Sequence, residues 1–156
     1  MSKDWVNDIA QMHSKFGVNE AVRKMDKDKL LAYLCFRVNF LQEELNEIKI
    51  ACTKDNSDEI VDGLIDLCVV AIGTLNAYDV DAYTAWDRVH AANMAKEVGV
   101  KASRPNPLGL PDLIKPEGWS APEHKDNVGI IHLAMERAKE IMAQTEAEQT
   151  EPAATE

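Results

Sequence analysis

The sequence predicts an all-α fold, a bundle of four or five helices with a long proline-rich loop before the last one. Three observations carry this. Apolar residues recur at helical spacing through most of the chain, with no convincing strand and no internal repeat. Five of the six prolines fall within residues 101–127, which leaves the helical patterns elsewhere uninterrupted. A hydrophobic content of 46% is enough for a core.

The elements follow in order. Trp5, Ile9 and Met12 mark a first helix that Gly17 stops. A long second helix runs from about Asp26 through "LLAYLCFRVNFLQEELNEIKIACTK", with Asp26 or Asp28 as cap. Ser57 is the expected cap of a third helix ending near Tyr78, and Asp81 of a fourth closed by Gly99. Residues 101–126 read as irregular, yet Leu108, Leu110, Leu113, Ile114 and Trp119 argue that this segment packs onto something. A last amphipathic helix spans about 127–143. Residues 1–143 are thus expected as one domain, and the Glu-rich stretch 144–156 as a disordered acidic tail.

Charge and cysteine usage narrow the function. The net charge is −10, and setting aside the four glutamates of the tail leaves the body at −6. That balance argues against nucleic acid or an anionic membrane as partner. No run approaches an uncharged membrane span, and the N-terminus lacks a signal peptide, so the expected address is cytoplasmic. Cys35, Cys52 and Cys68 form no CxxC pair and read as small buried hydrophobes.

The apolar run "DEIVDGLIDLCVVAIGTLNAY" contains Glu59, Asp62 and Asp66 within an arc of about 60° on one helix face. Val70 and Gly73 continue that arc, Gly63 lies at its edge, and Val61, Leu64, Ile65 and Cys68 are expected to pack on its flanks. In the preceding helix Glu44 and Glu47 stand one turn apart, with Glu43 further round. The short connection predicts antiparallel packing, Glu47 level with Asp62 and Glu44 with Asp66. Carboxylates brought together in this way raise one another's pKa values unless compensated. Arg37 is the only basic residue nearby. A hard divalent cation resolves the conflict, Mg²⁺ or Mn²⁺ rather than zinc. The plain alternative is a solvated acidic face, which fits Glu43, Glu47 and Glu59 better than Asp66.

"EELNE" followed by acidic ExxD spacing, with "AWDRVHAANMAKEVG" and "LIKPEGW" downstream, resembles the MazG-type all-α nucleoside triphosphate pyrophosphohydrolases, in their phage and bacterial branch. That superfamily includes dimeric dUTPases and phosphoribosyl-ATP pyrophosphohydrolases. The resemblance implies Mg²⁺-dependent hydrolysis of nucleoside triphosphates between the α- and β-phosphates. It makes Glu44, Glu47 and Asp66 metal ligands and Glu43 the residue acting on the attacking water. The family's usual Glu falls here on Gly63. Asp62 is the expected replacement, with Glu59 as second choice. The resemblance also assigns phosphate contacts to Asn93, Lys96 and Lys115, and implies a homodimer or homotetramer. Trp5, His13 and Phe16 are candidates for the border of a base pocket, while His90, Trp86 and Met94 read as core. Among substrates, dNTPs in general, dUTP, a damaged nucleotide and (p)ppGpp stay open, and phosphoribosyl-ATP has less to favour it. A non-enzymatic helical module that binds a cation or a basic partner is the competing class.

Overall fold

The computed structural model describes residues 4–101, 107–109 and 112–150. Among them are six helices: α1 (Trp5–Lys15), α2 (Val18–Arg23), α3 (Lys27–Thr53), α4 (Ser57–Ala77), α5 (Ala82–Met94) and α6 (Ile131–Thr150). A small antiparallel pair, β1 (Glu97–Gly99) and β2 (Asp112–Ile114), lies between α5 and α6. The all-α expectation holds. The chain divides into two compact units, one built from residues up to Asp81 together with those from Val128, the other from Ala82–Asn127.

In the first unit α1, α3 and α4 each start where a side chain satisfies a free backbone N–H. Asp4, Asp26 and Asn56 accept from Asn7, Lys29 and Glu59 respectively. The α4 cap is therefore Asn56, and Ser57, the sequence candidate, is the first helical residue. Gly17 has a left-handed φ of 69° and joins α1 to the short α2, where the sequence suggested only a stop.

The helices α3 and α4 form the frame. Tyr78, fully buried, donates its hydroxyl to the Leu30 carbonyl at 2.6 Å. Arg37 reaches the Val70 carbonyl at 2.8 Å, and Glu44 shares a cavity with Asp66. These pairs run in opposite directions along the two helices, which is the antiparallel register expected. Val22, Leu30, Ala77, Tyr78 and Ala134 close the core at one end, with α6 contributing Ala134. Lys27 pairs with Glu136 at 2.8 Å and Arg137 with Asp28 at 2.6 Å. Both pairs are half-exposed and add little beyond register.

Gly63 sets the separation of α3 and α4 at the other end. A Cβ there would stand 2.7 Å from Ile48 Cγ1. The small residues on the acidic arc thus bring the helices together; Gly63, Val70 and Gly73 are all buried.

Several expectations need correction. Val61, Leu64 and Ile65 are 62%, 51% and 44% exposed, so one flank of α4 faces solvent. The α3 side of that helix is covered, and α1 reaches it at His13, beside Gly73 and Asn76. By length and hydropathy α4 is long and apolar enough to cross a membrane, although it carries Asp62 and Asp66. Cys35 and Cys52 are exposed and Cys68 half-buried, since they lie off the α3–α4 seam. The last helix starts four residues later than expected and continues to Thr150, into the stretch read as tail. Its Ala, Glu and Gln residues are strong helix formers, which carries the helix into that stretch. The remainder of that stretch, residues 151–156, lies outside the described residues.

In the second unit α5 ends at Met94, and Gly99 belongs to a strand instead of capping the helix. Gly99 fits there because Ile114 covers it: a Cβ at Gly99 would meet Ile114 Cδ1 at 2.6 Å. The proline-rich segment is held by Trp119, whose indole N–H donates to the Ala92 carbonyl at 2.7 Å. Arg88 donates to both carboxylate oxygens of Asp126 at 2.7 Å and to the Glu123 carbonyl. That fork holds the Asp126 carboxyl down at about 2. Leu108 is 77% exposed and Leu113 43%, so of the expected packing residues Trp119 and Ile114 pack, while Leu110 lies outside the described residues. Trp86, Met94 and His90 are exposed, not core, and the Trp86 and His90 rings stack on each other.

Gly63→Ala is expected to lower stability by about 1–3 kcal/mol, the usual cost of overpacking. Adding Ile48→Ala should recover part of the loss. Chemical denaturation of the two single variants and the double variant checks this coupling.

Candidate active site

The site is built at the middle of the α3–α4 seam. Glu44 projects from α3 and is 8% exposed, the one buried carboxylate among the described residues. Burial raises its pKa above the usual carboxylate range, and the charges of Asp66, Glu47, Glu43 and Asp62, in that order, push it further. Every charge acting strongly on it is negative. Asp66 is half-buried, and Glu43, Glu47 and Asp62 are exposed around it. Five of the sequence candidates therefore share one neighbourhood. Glu59 does not join them; it is exposed in the first turn of α4, with its backbone N–H taken by Asn56.

At Gly63, where the resemblance expects a Glu, a Cβ would crowd Ile48 Cγ1 at 2.7 Å. Asp62 is close enough to act on Glu44; Glu59 is not among the groups that do.

A cavity of about 200 Å³ opens beside Glu44 and Asp66, lined also by Met12, His13, Arg37, Phe40, Val69 and Val70. His13 is buried, with ring Nδ1 3.0 Å from Asn76 Oδ1. An amide oxygen accepts, so the neutral ring carries its proton on Nδ1. Burial pushes the His13 imidazole below its ordinary range; the nearby charge of Arg37 acts in the same sense, and the amides of Asn76 and Asn19 oppose it. Of the residues proposed for a base pocket, His13 lines this cavity. Trp5 lines a second, outer one of about 200 Å³ with Asp8, Ile9, Ile65, Cys68 and Val69, and Phe16 is 69% exposed.

Arg37 is the part of the cavity that sequence reasoning undervalued. Its Nε donates to Thr74 Oγ1 at 3.0 Å and its Nη2 to the Val70 carbonyl, and the guanidinium lies 5.6 Å from the Phe40 ring centre. It makes no ion pair with a carboxylate among the described residues. The signal was present as a lone arginine inside the apolar run "LAYLCFRVNFL".

The donors here are all carboxylate oxygens around one buried acid, which suits Mg²⁺ or Mn²⁺ in kind. Among the described residues, however, no three His, Cys, Asp or Glu side chains stand at metal-ligand spacing. Four further acids act on Glu44, and none of the five forms an ion pair among the described residues. The oxygen chemistry of Glu44, Glu47, Asp62 and Asp66 suits a divalent cation, while of the four only Glu44 is buried.

In the second unit the three phosphate candidates come together. Lys96 Nζ donates to Asn93 Oδ1 at 2.6 Å. Lys96 and Lys115 both approach the Trp119 ring, at 5.8 and 4.3 Å from its centre. Two ammonium groups on one indole make a compact cationic patch.

The profile of the phosphoribosyl-ATP pyrophosphohydrolase family matches residues 11–93, more than half of the chain and all of the acidic seam. The chain belongs to the phosphoribosyl-ATP pyrophosphohydrolase family. This places it in the MazG-like all-α superfamily and supports a nucleotide pyrophosphohydrolase activity in general. Among curated proteins none matches.

A raised carboxyl pKa makes Glu44 stabilising while protonated and costly as pH rises through its folded value. Glu44→Gln is therefore expected to raise the thermal midpoint at pH 8 in the absence of divalent metal, by roughly 2–4 °C. At pH 4 the gain should shrink towards zero. Scanning calorimetry at both pH values, in chelator, checks the sign.

Proposed function

We propose that the chain hydrolyses (deoxy)nucleoside triphosphates between the α- and β-phosphates, giving a nucleoside monophosphate and pyrophosphate. The observation that carries this reading is the buried Glu44 among Asp66, Glu47, Glu43 and Asp62, with no cationic side chain to balance them. Such a cluster is costly to fold and is best explained by chemistry that uses it.

In this reading water attacks the α-phosphorus and the bond to the oxygen bridging to the β-phosphate breaks. Glu43, exposed at the edge of the cluster, orients that water and takes its proton. Glu44, Glu47, Asp62 and Asp66 would hold Mg²⁺, which would supply charge neutralisation for the polyphosphate and a more acidic water. Asn93, Lys96 and Lys115 are proposed as phosphate-contacting residues, each offering N–H donors. His13 and the cavity walls are proposed to take the base.

The chain is also proposed to work as a homo-oligomer, supported by the exposed Val61, Leu64 and Ile65 on α4 beside Trp5, itself 51% exposed. Leu64→Arg is expected to shift the protein to a smaller species in light scattering. An unchanged mass would count against this face as the interface.

Phosphorus NMR of dNTPs, NTPs, (p)ppGpp and phosphoribosyl-ATP incubated with Mg²⁺ tests the reaction. Monophosphate and pyrophosphate are the expected products from a nucleoside triphosphate, and Asp66→Ala should slow their release at least about 100-fold. Orthophosphate and diphosphate as products would reject the proposed bond. Turnover of phosphoribosyl-ATP alone would replace the substrate proposed here with the one the family is named for.

A further inference from the structure

We propose that Arg37 selects the base of the nucleotide. Its guanidinium donates to an exocyclic oxygen at the end of the base remote from the sugar, so that uracil, thymine, guanine and hypoxanthine are taken over cytosine and adenine. The inference rests on the reading of the α3–α4 seam as a nucleotide site, and it deepens that reading.

Arg37 is held in place before any ligand arrives. Thr74 Oγ1 and the Val70 carbonyl take two of its N–H groups, and the Phe40 face supports the plane. A guanidinium carries five N–H donors, and those on Nη1 have no partner among the described residues. Nor is Arg37 there to balance Glu44, whose strong influences are all negative charges. A fixed cation with spare donors and no carboxylate on it therefore lines a cavity whose other walls include Met12, Phe40, Val69 and Val70. Apolar walls with one directional donor group fit a flat heteroaromatic ring better than a hydrated polyphosphate.

Reach supports the same assignment. Arg37 and Glu44 lie two turns apart on α3, about 10 Å along its axis. With the α-phosphate at the carboxylates, the far edge of a base falls near the guanidinium. That edge carries O4 in uracil and thymine and O6 in guanine and hypoxanthine, but an amino group in cytosine and adenine. An amino group would set donor against donor and leave both unpaired where they meet, which is the condition under which a hydrogen-bonding site discriminates.

The test compares kcat/KM for dUTP against dCTP and for dITP against dATP, pairs that differ at this edge. The wild-type protein is expected to favour the oxo member of each pair by at least about tenfold. Arg37→Met should bring both ratios to within about threefold, mainly by losing activity on dUTP and dITP. Equal wild-type rates within the pairs overturn the proposal, whether or not a variant folds. So does a uniform loss on all four nucleotides in Arg37→Met, which would mark a phosphate contact or a structural tie. Arg37→Gln, whose amide can donate to an oxo group or accept from an amino group, is the second variant should Arg37→Met not fold, with the same expected collapse.

If none of the four is hydrolysed, the proposed reaction fails while the base reading is still tested by binding. Calorimetry of dUMP against dCMP, and of dIMP against dAMP, without divalent metal should show the oxo preference in wild type and its loss in Arg37→Met. Equal affinities in wild type overturn it.

Discussion

The α3–α4 seam sets the terms for the rest of the first unit. It is tied at one end by the Tyr78 hydroxyl on the Leu30 carbonyl, in the middle by Arg37 on Val70 and Thr74, and at the other end by the bare backbone of Gly63 against Ile48. Between the second and third ties the helices hold Glu44 where water reaches it poorly. Burial of this acid is thus a consequence of the packing on either side of it. The Tyr78 phenol, pushed up to about 12 by burial, stays a donor throughout the physiological range, so this end of the seam is insensitive to pH.

Much of this was legible in the amino-acid order. Helical periodicity, the caps at Asp26 and near Ser57, and the antiparallel pairing of Glu44 with Asp66 all follow from local rules that tertiary contacts did not override. The spacing of the acids on α4 likewise put Asp62 and Asp66 on the side that acts on Glu44. What the sequence concealed was the sense of the small residues. Gly63 and Gly73 look like room for a ligand, yet they are room for the neighbouring helix, His13 and Arg37. That distinction depends on which side chain stands opposite, and periodicity does not report it.

The apolar flank of α4 was misread for a related reason. Hydrophobicity shows that Val61, Leu64 and Ile65 favour burial, without naming the surface that provides it. The two short strands were missed because three-residue pairings carry no alternation to detect, and the Trp119 hydrogen bond to Ala92 lies far along the sequence from its partner. Arg37 was seen only as a possible counter-charge, and its ties to Val70 and Thr74 give it a fixed geometry that no one-dimensional pattern encodes.

The position of α6 bears on how the protein is made. It returns to the first unit after the whole of the second, and places Ala134 in a core otherwise formed by residues no later than Val80, Ile130, Ile131 and Leu133 excepted. Arg137 meets Asp28 across 109 positions. On a ribosome, α3 and α4 emerge with that end of the core open, and it closes only once synthesis has passed the second unit. At about 5–20 residues per second, this leaves apolar surface around Val22 and Leu30 exposed for several seconds.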